Sequence, residues 1–400
     1  MYWETPFSKY NYQDYNYEKA LKESSLTRRK YAINNTNVSL PDASYLVEPI
    51  SGVWLLAIDA NVYVPNTNLS GLKENPKDFS GASIGYNNVL LYKKHLIDWV
   101  EKVSEKAKQK GKILIAFSHY PMVDFNDDAS SELKRLFGVN KMQLHRVPNE
   151  DVAKAFADAG LQIHFGGHMH INDTGIRTTE KGNTLFNIQT PSLAAYMPAY
   201  KILTILSASE FEVKTIVLDS VRNFNSLFPF YEQEYAYLKS IKNDKIWNRN
   251  ILNSLNYKDF TAWHLKELVR LRFLPKDFPV DFLESFLKLT GKDLLEINSN
   301  SSEIHKLLLS NDLTICEFEN WTGFDMIFDF YRLRNSDELA IPEIGLSRLK
   351  QYQMVCKQLE NVDDEKLVLW AKIFQKTLKG QPSNHFKINL QTNNLERLDP

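Results

Sequence analysis

The chain has 400 residues, 43% of them hydrophobic, with 48 basic against 49 acidic side chains and a formal net charge of -1. That length allows two domains with a core each, and the charge balance gives no strong signal for nucleic acid or an anionic membrane. The two cysteines, Cys316 and Cys356, lie far apart, which excludes a disulfide scaffold or a thiolate metal cluster and reads as two ordinary core thiols.

The N-terminal stretch MYWETPFSKYNYQDYNYEKAL is polar and aromatic, without the apolar segment of a signal peptide. No stretch approaches the roughly 20 apolar residues of a membrane span, and the sequence assigns no compartment. From residue 44 to about 220, strands and helices alternate. Val53 to Ile58 (VWLLAI) and Lys112 to Phe117 (KILIAF) are short apolar runs of the kind that form strands buried on both faces. Between them Val89, Tyr92, Leu96, Val100 and Val103 recur at helical spacing, and Gly111 ends the helix after a lysine-rich turn. A second helix is predicted from Asn149 to Ala159, with Asn149 as N-cap, and Gly160 leads into the strand LQIHF. Then TGIRTT, NTLFNIQT, YKILTILSA and FEVKTIVLD read as successive strands, so residues 1–221 form a layered α/β domain.

From residue 222 to 400 helical periods dominate and the region reads as mainly α-helical. Phe260, Trp263, Val269 and Leu271 form one stripe; Leu367, Trp370 and Phe374 form another, closed by Lys379-Gly380-Gln381-Pro382. PKDFP at 275–279 reads as a break between helices, and the aromatic stripes read as core. The region carries no motif that assigns it a role.

The chemistry concentrates at two strand ends. KILIAF runs into Ser118-His119-Tyr120-Pro121, and LQIHF runs into Gly166-Gly167-His168-Met169-His170. In an open α/β sheet ligands bind outside the carboxyl ends of the strands, which is where both histidine groups fall. If the backbone at 168–170 is extended, His168 and His170 project to one side while Met169 turns inward. Neutral imidazole is a good ligand for Mn, Fe or Zn, so His119, His168 and His170 are the candidate metal ligands. His164 reads as a satisfied core or surface residue, and His95, His145, His264, His305 and His385 join no constellation. Asn172-Asp173-Thr174-Gly175 reads as a hairpin turn, which gives Asp173 a structural role.

SHYP after one buried strand, GGHMH after another 49 positions on, and a strand-rich tail resemble the second half of a calcineurin-like metallophosphoesterase domain. Tyr45 to Asn61 is similar to the middle of its bacterial members. The resemblance implies a partial phosphoesterase sandwich and hydrolysis of a small phosphoester by two divalent transition metal ions, with His119 and His168 on one ion and His170 on the other. The family pattern also has Asp-x-His, Gly-Asp-x-x-Asp and Gly-Asn-His motifs ahead of this segment, and none occurs here; Asn384-His385 lacks the flanking glycine and acid. Three neutral imidazoles supply no charge to offset two ions, so by itself this chain is expected to be inactive, with no catalytic residue of its own. Two accounts follow: a fragment whose partner is the missing N-terminal half of the domain, with an exposed sheet edge and an open core, or a non-catalytic binding protein derived from a phosphoesterase.

Overall fold

The computed structural model, which describes residues 1–33, 38–66, 75–80, 84–297 and 301–398, places seven strands in one sheet. These are β1 (Trp3–Glu4), β2 (Tyr45–Ile50), β3 (Val53–Ile58), β4 (Ile113–Ser118), β5 (Ile163–Gly166), β6 (Asp173–Thr178) and β7 (Thr184–Gln189). Their order is β1-β2-β3-β4-β5-β7-β6. The central β3, β4, β5 and β7 run parallel, while β1, β2 and β6 are added antiparallel. A second, antiparallel sheet holds β8 (Ala199–Ile205), β9 (Glu210–Val217), β10 (His385–Asn389) and β11 (Asn394–Arg397). The layered α/β class expected from the sequence is what forms.

Period-two alternation sorts the side chains of the larger sheet. Trp54 and Leu56 pack outward against helices α1 (Lys94–Gln109) and α3 (Glu150–Asp158), meeting Leu96, Val100 and Phe156. Ile115, Ile163, Phe186 and Ile188 point the other way and meet Phe211, Val213, Phe386 and Ile388 of the second sheet. Each such side chain, fully buried, contributes about 1.5–3 kcal/mol. Asn149 precedes α3 as expected, although its side chain makes no capping hydrogen bond.

Two readings of the sequence need correcting, at residues 172–175 and at Cys316. Residues 172–175 are not a hairpin turn: Asp173 begins β6, and the turn lies at 179–183, where Thr179 N–H donates to Asn183 O and Gly182 adopts φ +83. At the outer edge of the sheet β1 pairs Trp3 with Val47, and the Tyr2 ring stacks 5.8 Å from that of Trp54. The break expected within residues 275–279 falls at Phe278-Pro279, between Leu274–Asp277 and Val280–Phe286. Of the two thiols, Cys356 is buried but Cys316 is exposed.

The helical region includes α4 (Phe228–Ser240), α5 (Tyr257–Leu268), α6 (Gly323–Ser336), α7 (Leu346–Leu359) and α8 (Glu365–Thr377). It shares one core with the loops at the end of the sheet, where Met169, Ile171 and Tyr196 join Leu265, Leu274 and Trp370. Its last residues leave it: β10 pairs with β9, so the helices are inserted between strands of the second sheet rather than appended after residue 221. No helix among the described residues is long and apolar enough to cross a membrane.

Candidate functional site

The parallel strands deliver their C-terminal residues to one edge: Asp59 after β3, His119 after β4, Gly167 and His168 after β5. The loop after β5 folds against the one after β4, with Gly167 N–H donating to His119 O at 3.1 Å. A Cβ on Gly166 would stand 3.2 Å from Pro121 Cα, so the approach suits glycine. His168 and His170 are not extended as the sequence reading supposed, but left-handed, with φ of +61 and +56. Such backbone costs of order 1–3 kcal/mol for a side-chain-bearing residue and recurs at functional sites.

The turn brings His168 and His119 together: His168 Nδ1 and His119 Nε2 lie 2.7 Å apart in a hydrogen bond, with ring centroids 4.7 Å apart. One of those nitrogens must carry the shared proton. Burial, followed by the nearby Arg146 guanidinium, pushes the His168 imidazole down to about 4, and burial followed by His170 lowers that of His119. His170 is exposed and faces a cleft of about 520 Å³. The structure therefore joins His119 to His168 and leaves His170 on the rim.

His164 behaves as the satisfied core residue of the sequence reading. It is fully buried, with Nδ1 2.7 Å from Asn187 Oδ1 and Nε2 2.8 Å from Ser118 Oγ. Burial pushes its pKa down to about 4 and keeps it neutral, so Nδ1 donates to the amide oxygen, and the one Ser118 hydroxyl proton is shared between Nε2 and Tyr120 O, 2.8 Å from each.

These residues do not fit a pair of divalent ions. Among the described residues no group of three or more His, Cys, Asp or Glu is placed to hold a metal. The carboxylates at this end of the sheet are engaged elsewhere: the buried Lys93 Nζ lies 3.1 Å from Asp42 Oδ2 and 3.3 Å from Asp59 Oδ2. The unpartnered polar atoms at the end of β7, Gln189 Oε1 and Nε2 and Asn187 Nδ2, are amide atoms without charge. Nothing here offsets four positive charges.

The cleft supplies what the histidine spacing could not reveal. It lies between the sheet's end and the helical region, and Arg146, Arg272, Lys276 and Arg334 line it against one carboxylate, Asp277. His145 and His264, assigned to no constellation from the sequence, line it beside His170. Arg334 Nε donates to Asn126 Oδ1 at 3.0 Å, an uncharged acceptor. The residues come from three distant segments, and the sequence hints at them only through Arg270-Leu271-Arg272.

No family model and no curated protein matches the chain. Among solved structures, a dimetal phosphatase from Danio rerio is similar at 13% identity with a TM-score of 0.25; the match covers 44% of this chain and 57% of that one. A likeness that slight adds nothing to what the side chains themselves imply.

Proposed function

We propose that this chain binds a small phosphoester or similar anion at the end of its central sheet, without hydrolysing it, as a phosphoesterase-like binding protein. The supporting observation is the pairing of an electropositive cleft with a histidine cluster that lacks carboxylates. Four arginine or lysine side chains face one aspartate across the opening. Arginine forks and lysine ammonium groups recognise phosphoryl oxygens directly. Turnover by two ions would need a bridging carboxylate and charge compensation that His119, His168 and His170 do not offer.

A second reading keeps the chemistry. His119 and His168 already touch, so one transition ion held weakly by that pair would polarise a phosphoryl oxygen or a water. The two readings separate in one experiment. The chain is assayed with p-nitrophenyl phosphate and millimolar manganese or zinc, beside the variants His168→Ala and His170→Ala. The binding reading predicts release of nitrophenol no faster than the uncatalysed background in all three proteins. Metal-dependent turnover that falls by several orders of magnitude in His168→Ala overturns it and establishes the hydrolase.

A further inference from the structure

A second cavity adjoins the cleft. It measures about 430 Å³, lies mainly within the helical region with Ala194 from the loop after β7 on one side, and is walled by Tyr231, Trp247, Ile251, Leu252, Phe260 and Leu271. The sequence reading placed Phe260 and Leu271 in a core stripe; in the structure both are only half-buried and face this space. His264, Leu268 and Arg272 line both cavities, so the two are adjacent and share those side chains.

The backbone at the junction is unusual. After α5 the chain does not stop or continue as α-helix but takes five residues of π-helical turn, Val269–Phe273, before Leu274–Asp277. Such a turn advances the side chains that follow it around the axis, and it recurs at functional sites. Here Val269 anchors the turn in the core with no exposure, and the Phe273 ring stacks 5.0 Å from that of Tyr331. Arg270 is held by Glu267, with Nη2 2.5 Å from Oε2. Arg272, two residues on, lines both cavities and is exposed. Neither Arg272 nor Lys276 forms an ion pair among the described residues, although Asp277 adjoins Lys276 in sequence.

We propose that the two cavities form one amphiphilic site, which takes a small ligand with a phosphoryl-type anion in the cleft and a flat apolar ring in the aromatic pocket, Arg272 holding the joint between them. This rests on the binding half of the preceding reading and not on its absence of turnover. Small-ligand pockets are commonly about 300–1,000 Å³, apolar, with a few placed polar groups, and each of these cavities has that size. The division of labour is physical. The cleft offers Arg272 and Lys276, and the pocket offers aromatic faces and aliphatic walls, its two carboxylates being engaged, Glu234 Oε2 3.3 Å from Trp247 Nε1 and Glu267 Oε2 2.5 Å from Arg270 Nη2.

The test is calorimetric titration of the full chain in EDTA with 1-naphthyl phosphate, inorganic phosphate and 1-naphthol. One continuous site predicts that 1-naphthyl phosphate binds at least tenfold tighter than either fragment. Arg272→Gln should weaken 1-naphthyl phosphate and phosphate about tenfold and leave naphthol unchanged. Trp247→Ala should weaken 1-naphthyl phosphate and naphthol and leave phosphate unchanged. Both positions lie outside the fully buried core, and a melting curve for each variant confirms folding; Leu252→Glu serves if Trp247→Ala melts early. Equal affinity for phosphate and 1-naphthyl phosphate, or insensitivity to Arg272→Gln, overturns the joined site. Release of naphthol on adding manganese would overturn the non-hydrolytic reading while leaving the joined site standing.

Discussion

Two buried groups of aspartates in this molecule have opposite electrostatic fates. At the carboxyl end of the sheet, Asp42 receives a hydrogen bond from Ser44 N–H at 2.8 Å, sits 2.9 Å from His95 Nε2, and shares the Lys93 ammonium with Asp59. Burial alone would raise its pKa, but the His95 hydrogen bond and Lys93 outweigh that and hold it well below the usual carboxylate range. At the seam with the helices, Asp127, Asp173 and Asp337 surround a cavity of about 10 Å³, room for roughly one water. Both Asp173 oxygens and Asp337 Oδ2 are buried without a partner. Burial pushes Asp173 up to about 7 and Asp337 to about 8, with each aspartate raising the other's value or that of Asp127.

A lysine is present in both places, so the difference lies in contact rather than in count, and burial pushes the Lys201 ammonium down to about 7. Lys201 is buried near the seam, yet it donates to Asn172 Oδ1 at 2.6 Å, Thr215 Oγ1 at 2.9 Å and Ser383 O at 2.6 Å, all neutral acceptors. Its three N–H groups are taken, and the carboxylates keep their protons instead.

Three perturbations would break or sharpen that contrast. The largest effect is expected from Lys93→Met, which strands two buried carboxylates; breaking such a network costs about 3–5 kcal/mol, read from urea unfolding at pH 7. A loss below about 1 kcal/mol would show that Asp42 and Asp59 do not depend on the ammonium. Next comes Asp173→Asn. A carboxyl whose folded value is raised holds more protons in the native state, so it weakens stability as pH rises from about 4 to about 7. The variant should therefore melt several degrees above the parent at pH 8, by on the order of 2 kcal/mol, and equally at pH 4. Equal melting at both pH values would mean that the seam carboxylates are hydrated and ordinary. The smallest effect is in the pair: Asp337→Asn added to Asp173→Asn should gain less at pH 8 than Asp337→Asn alone, because neutralising one partner already relieves the other. The Asp42 network has the opposite sign, its contribution being lost as pH falls below about 4, so the parent should be most stable between the two limbs.

Much of the fold could be read from local pattern. VWLLAI is β3 to the residue, and the four strands after the histidines appear in the expected places because alternation and turn residues are short-range signals. Asp173 was misplaced because Asn-Asp-Thr-Gly carries turn chemistry, while pairing with Gln189 across the sheet decides its conformation. Similarly, the extended geometry supposed for His168 and His170 gave way to a tight turn, closed by Met169 N–H donating to Gly167 O at 2.7 Å. His119 and His168 do meet, 2.7 Å apart, as two strand ends suggested. The arginines of the cleft were not legible, since Arg146, Arg272 and Arg334 meet only through tertiary packing. His385-Phe386-Lys387-Ile388-Asn389 did carry the period of a strand, but it follows a long helical stretch.

That last strand sets a constraint on biosynthesis. β9 can pair with β8 as soon as both have left the ribosome, but its other edge waits for β10, whose partners include Phe211↔Ile388 and Val213↔Phe386. At roughly 5–20 residues per second, the intervening helices delay that partner by about 10–30 s. During that interval a strand edge and the apolar faces of Phe211 and Val213 stand uncovered on the nascent chain, so the helices must emerge and collapse without capturing them, and a holdase that shields this edge would raise the yield of native protein.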